Sequence, residues 1–132
     1  MGGSVGTDVI RQYPFPKFGT EKFVTEAIAY DKLGVKYKFK TLRKVLTICE
    51  YRDDGYTTNS NRLHLNNPLG WMAFYHQRIG IIKSKKKKIA NAALYDAHAL
   101  IAKKGLKIVL NRYFYLTVLS IVFGIKFYRL YK

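Results

Sequence analysis

The most constraining feature of the sequence is an apolar run near its C-terminal end. Thirteen consecutive residues beginning at Tyr113, YFYLTVLSIVFGI, carry no charge. The run continues to Tyr131 if Lys126 and Arg129 are included, and a helix of about 19 residues is roughly 28 Å long, close to the hydrocarbon thickness of a bilayer. The pattern predicts one transmembrane helix over residues 113–131. The alternative is a buried C-terminal helix of a water-soluble domain.

Aromatic and basic residues flank this run on both sides. Aromatic rings at the two ends of a span are typical of residues at headgroup depth. Long basic side chains near a helix end extend along the helix and keep their charge at the headgroups. The sequence therefore predicts anionic lipid, such as cardiolipin, as a partner. The candidate headgroup contacts are Lys103, Lys104, Lys107, Arg112, Lys126 and Arg129.

Charge is unevenly distributed along the 132 residues, which have room for one domain. The net charge is +16, all eight acidic residues precede Ala97, and seven basic residues follow it. Such self-repulsion disfavours a compact solitary monomer and predicts a negatively charged partner. The single cysteine, Cys49, excludes an intrachain disulfide and a cysteine-based zinc site.

The first half of the chain divides into an arm, two helices and a loop. Glycine and proline predict an extended arm over residues 1–19. Thr20 and Gly34 are the expected start and stop signals of a helix over residues 21–32. A helical apolar seam predicts the next helix over residues 36–51, whose basic face suits a membrane surface or solvent equally. Turn residues without an apolar period predict a loop over residues 52–67.

The second half begins with a strong helix start, because Asn67 can cap a helix whose first residue is Pro68. Helical pattern extends over residues 68–104, interrupted by the run KSKKKK. Lysines in a first helical turn oppose the helix dipole. Either one helix therefore runs through the lysines, or the lysines meet fixed negative charge. Close helix packing is predicted for a stripe of small and apolar residues: Ala90, Ala93, Leu94, Ala97, Leu100 and Ile101.

No catalytic constellation is present in the sequence. His64, His76 and His98 are scattered, without metal-ligand spacing to one another or to a carboxylate, and a structural or surface role is expected for each. No phosphate loop, nucleophile elbow, haem-attachment motif or cysteine cluster appears. The sequence predicts a non-enzymatic protein without a cofactor.

The apolar run with its basic flanks, together with the small size and high basicity, resembles the supernumerary subunits of mitochondrial inner-membrane complexes. The resemblance is to a class and carries no diagnostic motif. It implies an accessory subunit of a respiratory-chain complex, complex I-like as the first choice, or of the ATP synthase, with other subunits as partners. The balance of basic residues around the span places residues 1–112 on the matrix side.

Two alternatives remain open at this point. Nucleic acid is a less favoured partner, because the charge and the 15% aromatic content also fit an RNA-associated subunit such as a mitochondrial ribosomal protein. A peripheral basic membrane-binding protein is the other alternative. The predicted fold is all-α: an arm (1–19), amphipathic helices next to the membrane (20–112) and one C-terminal transmembrane helix (113–131).

Overall fold

Helices account for the regular structure of the described chain. The computed structural model describes residues 6–40, 60–105 and 114–131, together with positions 43, 45 and 48. Within these ranges there is no β-strand, so the predicted all-α class is confirmed. In chain order the helices are α1 Thr7–Ile10, α2 Ala27–Lys36, α3 Ser60–Asn66, α4 Pro68–Ile81, α5 Lys85–Ile101 and α6 Phe114–Tyr131.

The helix predicted over residues 21–32 lies later in the chain. α2 begins at Ala27, so Thr20 does not cap it. The helix also runs through Gly34, the predicted stop, and ends at Lys36. Its buried side includes Ile28 and Leu33, which are 3% and 2% exposed. The start of α2 differs from the predicted one because Glu21, Lys22 and Phe23 are used in a tertiary contact described below.

The helix predicted over residues 36–51 does not begin where the apolar seam suggested. Tyr37, directly after α2, is extended with φ −118° and ψ 151°. The chain turns back at this point, and the ring of Phe39 lies edge-on to that of Tyr30, with 6.4 Å between the ring centroids. Most of the remaining predicted helix lies outside the described residues.

Two predictions of irregular structure also need correction. The arm predicted over residues 1–19 contains the single helical turn α1. The end of the loop predicted over residues 52–67 is helical, because Ser60–Asn66 form α3. α3 has no buried residue and no apolar period, but the ring of His64 stacks on that of Trp71 with 4.1 Å between centroids. Tertiary contact therefore supports this short helix.

The helix start at Asn67 and Pro68 is confirmed, with Pro68 as the first residue of α4. The interpretation of residues 68–104 as one helix is wrong. α4 ends at Ile81, Ile82 and Ser84 are extended, and α5 begins at Lys85. The four consecutive lysines therefore occupy the first turn of α5.

α5 lies between α4 and α6, and α2 packs on the outer side of α4. The main apolar cluster joins α2 to α4 through the buried residues Ile28, Phe74 and Tyr75. A smaller cluster joins α4 to α5 through Ile79 and Ala92.

α6 occupies nearly the range predicted for the apolar helix, residues 113–131. Measured over the described residues alone, none of the helices combines the length and the hydropathy that a membrane crossing requires. By this measure, the predicted transmembrane assignment is not supported.

Candidate functional site

Small residues form the contact between α5 and α6. A Cβ atom added to Gly124 would lie 2.8 Å from the Cβ atom of Asp96 and 2.9 Å from the carbonyl oxygen of Ala93. Ala93 and Ala97 are completely buried. The two helices therefore approach so closely that only glycine fits at this position of α6. Both alanines belong to the predicted small-residue stripe, whereas Ala90, another member, is exposed.

Polar groups also lie inside this contact. Asp96 of α5 is 0% exposed and Ser120 of α6 is 2% exposed. The Ser120 hydroxyl donates a long hydrogen bond of 3.4 Å to Oδ2 of Asp96. Small and polar side chains therefore fill the interior of the α5–α6 contact.

The opposite side of α6 is apolar and exposed. Lys126 and Arg129 are exposed on the same helix, towards its C-terminal end. The exposed surface is therefore apolar over the middle turns and cationic near the end. We define the outer face of α6 by six residues with exposed fractions between 36% and 65%: Val118, Leu119, Val122, Phe123, Ile125 and Leu130.

A cluster of rings fixes the end of α6 to the other helices. This imidazole junction consists of His64 from α3, Trp71 and Tyr75 from α4, His98 from α5 and Tyr131 from α6. The ring of Tyr131 lies 4.8 Å from that of His64 and 5.2 Å from that of His98, measured between centroids. The ring of Tyr75 lies 5.4 Å from that of His98. Four helices therefore meet at one pair of imidazoles.

Hydrogen bonds define the protonation of the two imidazoles. Nδ1 of His98 lies 2.7 Å from the carbonyl oxygen of Leu94, which can only accept, so Nδ1 carries a proton. In the neutral ring Nε2 is then an acceptor, and it receives the hydrogen bond from Nδ1 of His64 at 2.9 Å. Burial lowers the pKa of His98 to about 4 and also lowers the pKa of His64. Both rings are therefore neutral near pH 7.

The carboxylate of Glu21 caps the first turn of α4. Its two oxygens accept hydrogen bonds from the backbone N–H groups of Leu69 at 2.7 Å and Gly70 at 2.8 Å. A carboxylate at a helix start satisfies free donors and interacts favourably with the helix dipole. A Cβ on Gly70 would lie 2.9 Å from the carbonyl oxygen of Phe23, so glycine permits this approach.

The side chain of Asn67 completes this exchange. Its Oδ1 accepts hydrogen bonds of 3.0 Å from the backbone N–H groups of both Lys22 and Phe23. Its Nδ2 donates to the carbonyl oxygen of Leu63 at 3.0 Å. Asn67 precedes α4 as predicted but does not cap it with its side chain. We refer to the paired contacts of Glu21 and Asn67 as the clasp.

The predicted headgroup residues fall into two described pairs. Lys103 and Lys104 are exposed beyond the end of α5, and Lys126 and Arg129 are exposed on α6. Because Tyr131 contacts His98 in the last turn of α5, the C-terminal ends of the two helices lie together. The orientation predicted from the sequence differs from this arrangement, because it placed Lys103 and Lys104 on one side of a membrane and Lys126 and Arg129 on the other. Lys107 and Arg112 lie outside the described residues.

Backbone geometry sets the position of the first pair. Lys103 adopts a left-handed conformation with φ 56°, and its N–H donates to the carbonyl oxygen of Leu100. The N–H of Lys104 donates to the carbonyl oxygen of Ala99 at 2.8 Å, which completes a Schellman-type helix end. The side chain of Lys104 lines a groove of about 300 Å³ together with Phe18, Leu69, Met72, Ala73, His76 and Tyr95.

No spacing in the sequence indicates the pairing of His64 with His98. These residues are 34 positions apart and follow no ligand spacing, so only the packing of α3 on α4 and α5 brings them together. Within the described ranges, no three His, Cys, Asp or Glu side chains are grouped closely enough to hold a metal ion.

Comparison with known proteins gives no relative: no family model, curated protein or solved structure matches the chain.

Proposed function

We propose that this chain is a non-catalytic accessory subunit of a membrane-embedded complex and that the outer face of α6 lies against lipid acyl chains. The observation that carries this proposal is the inverted pattern of α6. Ser120 and Gly124 are directed to α5, whereas Val122 and Phe123 are 60% and 46% exposed.

The physical argument compares water with lipid as the surroundings of α6. In water, burial of apolar surface contributes about 25 cal/mol per Å², so a helix places its largest apolar side chains inward. In a bilayer this driving force between helices is absent, and helices associate through small residues and polar pairs. The contact between Gly124, Ala93 and the Asp96–Ser120 pair follows the second rule. The outer face also forms an exposed apolar surface of the kind that marks an interaction site.

Contact with lipid requires one apolar face and does not require a helix that is apolar all round. α5 covers the inner side of α6, and the Asp96 carboxylate of α5 is completely buried in this contact. Lys126 and Arg129 lie towards one end of α6, where their long side chains reach headgroups. Each basic residue near an anionic surface contributes on the order of 1 kcal/mol.

The cellular location that we propose for the chain follows from its resemblance to supernumerary subunits. We place the chain in the mitochondrial inner membrane, as a structural or assembly subunit of a respiratory-chain complex, complex I-like as first choice, or of the ATP synthase. A net charge of +16 suits a subunit held between anionic lipid and acidic neighbours. Other subunits and cardiolipin are the partners that this assignment implies.

The substitution Val122→Arg tests the proposal. Val122 is 60% exposed, so the change leaves the packing on α5 intact while placing a charge on the outer face. An arginine in the hydrocarbon costs about 2.5–3.5 kcal/mol on insertion scales, which corresponds to a roughly hundredfold loss of membrane partition. The measurement is the fraction of full-length chain that remains in membranes after carbonate extraction.

The matched control is Val35→Arg, because Val35 is 68% exposed at the end of α2. Carbonate-resistant association should survive the control and be lost in the α6 variant. Equal association of both variants would contradict lipid contact by α6. Complete release of the unmodified chain by high salt alone would contradict lipid contact by α6 and would favour electrostatic binding to RNA or to a membrane surface, since both weaken with salt.

A further inference from the structure

The groove that Lys104 lines runs along one side of α4. Its wall on α4 extends from Leu69 to His76, which is about 10 Å of helix. Phe18, from the segment before α2, and Tyr95 of α5 form other parts of the wall. With a volume of about 300 Å³, the groove is at the lower end of the size range of small-molecule sites. Its length suits one extended chain better than a compact molecule.

The two ends of the groove differ in chemistry. α4 and α5 pack on each other on either side of a short break, so they run in opposite directions. The ring of His76 lies 6.0 Å from that of Tyr95 at one end. Lys104, beyond the end of α5, therefore lies at the other end, which Leu69 forms. The floor between them is apolar and includes Met72, and none of the described residues that line the groove is acidic.

Backbone contacts hold the walls in place. The N–H of Lys104 donates to the carbonyl oxygen of Ala99 at 2.8 Å, which fixes the backbone of Lys104 against the end of α5. The carbonyl oxygen of Phe18 accepts a hydrogen bond of 2.9 Å from the N–H of Glu21, whose carboxylate is bound to the first turn of α4. The groove is therefore preformed, as binding sites for small molecules usually are.

The groove is aligned with the proposed lipid contact of α6. Its cationic end lies where the C-terminal ends of α5 and α6 meet, and Lys126 and Arg129 lie towards that end of α6. Its other end is at Tyr95, directly before Asp96, which contacts Ser120 of α6. Along the helices, the order is therefore the same in the groove and on α6: cations at one end and apolar side chains beside them. A phospholipid has this order too, with an anionic headgroup followed by acyl chains.

We propose that the groove binds one anionic phospholipid, with its phosphate at Lys104 and one acyl chain along the apolar floor. This inference rests on the proposed function and deepens it, because it names a defined lipid site in addition to the general contact of the outer face of α6. Phospholipid is favoured over a free fatty acid, because it is the bulk component of the bilayer in which we place α6.

The first test removes the cation at the end of the groove. Binding of phosphatidylglycerol to the full-length chain is measured by native mass spectrometry in a neutral detergent. Lys104→Gln should weaken this binding about fivefold. The matched control is Lys103→Gln, because Lys103 is the adjacent exposed lysine and is not among the described residues that line the groove. The control should bind as the unmodified chain does, and equal weakening in both variants would overturn the proposal, because net charge alone would then explain binding.

The second test removes an apolar wall of the groove. Phe18→Ala should weaken phosphatidylglycerol binding about tenfold, because the ring no longer covers the acyl chain. Phe15→Ala is the matched control, since Phe15 is 46% exposed on the same segment and is not among the described residues that line the groove. Equal melting temperatures of the two variants exclude loss of the fold as the cause. An unchanged affinity in Phe18→Ala would overturn the acyl-chain contact.

Competition experiments identify the occupant. Glycerol phosphate, which has the anion without an acyl chain, should not displace phosphatidylglycerol. Displacement at equal concentration would overturn the proposal in favour of a simple anion site. Binding of oleate without binding of phosphatidylglycerol would overturn it in favour of a free fatty acid.

Failure of the proposed function gives a different result from failure of the groove proposal. If α6 does not contact lipid, Val122→Arg leaves carbonate-resistant association unchanged, whereas the difference between Lys104→Gln and Lys103→Gln is unaffected. If the groove does not bind phospholipid, that difference disappears, whereas the loss of membrane association in Val122→Arg remains.

Discussion

The two outer helix contacts of this chain are built on opposite rules. Between α2 and α4, the large residues Ile28, Phe74 and Tyr75 are buried, and the Asp31–Arg78 ion pair, 3.1 Å long, lies at the partly exposed edge. Between α5 and α6, small and polar residues are buried, and the six large apolar residues of the outer face of α6 are exposed.

The difference fits the proposed contact of α6 with lipid. The α2–α4 contact is stabilised by removal of apolar surface from water, with polar groups left where solvent reaches them. The α5–α6 contact depends on close van der Waals packing and on a buried polar pair, which is how helices associate when their outer faces are already in an apolar medium. α4 and α5 connect the two regions, and the imidazole junction contacts both.

Replacing one phenylalanine in each region by alanine should give the largest difference between the two regions in the free energy of unfolding. Phe74 is 6% exposed, so Phe74→Ala should lower the free energy of unfolding by about 3–5 kcal/mol through lost burial and a cavity. Phe123→Ala, on the outer face, should cost less than about 0.5 kcal/mol in detergent-free buffer. Urea unfolding followed by Trp71 fluorescence measures both, since the Trp71 ring lies 5.9 Å from that of Phe74. Equal costs would mean that the two contacts do not differ.

A change of pH should affect the junction that links the regions. The unfolded chain binds a proton at each histidine near pH 6.5, whereas burial holds the pKa of His98 at about 4 in the folded chain. The unfolded state therefore binds more protons in this window, and stability falls as the pH decreases from 6.5 to 4. The expected loss from His98 is about 3 kcal/mol, and His64 adds to it in the same direction.

Urea unfolding of His98→Gln between pH 7 and pH 4 checks this linkage. The variant should show a shallower dependence of stability on pH, whatever its stability at pH 7. The unmodified chain, measured over the same pH range, is the control. If the unfolding free energy of His98→Gln depends on pH as steeply as that of the unmodified chain, burial at the imidazole junction does not govern the pH dependence.

A methyl group added at each of two glycines should change the stability of the fold in opposite directions. Gly124→Ala forces the new methyl against Asp96 and Ala93, which should cost about 1–3 kcal/mol. Gly80 lies within α4 and has nothing within 4 Å of an added Cβ, so Gly80→Ala should stabilise by about 0.5–1 kcal/mol. Thermal unfolding in detergent measures both. Tolerance of alanine at position 124 would mean that α5 and α6 are not in close contact.

Local signals in the sequence were sufficient where the chain uses them locally. Pro68 is the first residue of α4, whereas the side chain of Asn67 binds Lys22 and Phe23 and does not cap the helix. Two members of the predicted stripe, Ala93 and Ala97, lie in the α5–α6 contact. Gly34 lies within α2 and does not stop it, and a Cβ there would lie 3.2 Å from the ring of Phe39, so glycine permits the close approach of that ring.

Other features depend on tertiary partners that sequence spacing does not reveal. Glu21 is the first residue of the helix predicted over residues 21–32, but its carboxylate binds backbone donors 48 and 49 residues away. The pairing of His64 with His98 likewise has no sequence signature. For the candidate site, the apolar run and its cations were evident in the sequence. The inward direction of Ser120 and Gly124 was not, because it requires knowledge of the neighbour of α6.

The clasp has a consequence for cooperativity. Its four backbone hydrogen bonds to Glu21 and Asn67 join positions 44 to 49 residues apart. Closing a loop of that length costs about 3 kcal/mol of chain entropy, more than one net hydrogen bond of about 1 kcal/mol provides. The loop is closed only once, so the four hydrogen bonds and the α2–α4 contact together offset this single entropy cost. Residues 21–36 therefore attach to α4 as a unit, and loss of one end of the clasp weakens the hold on the other.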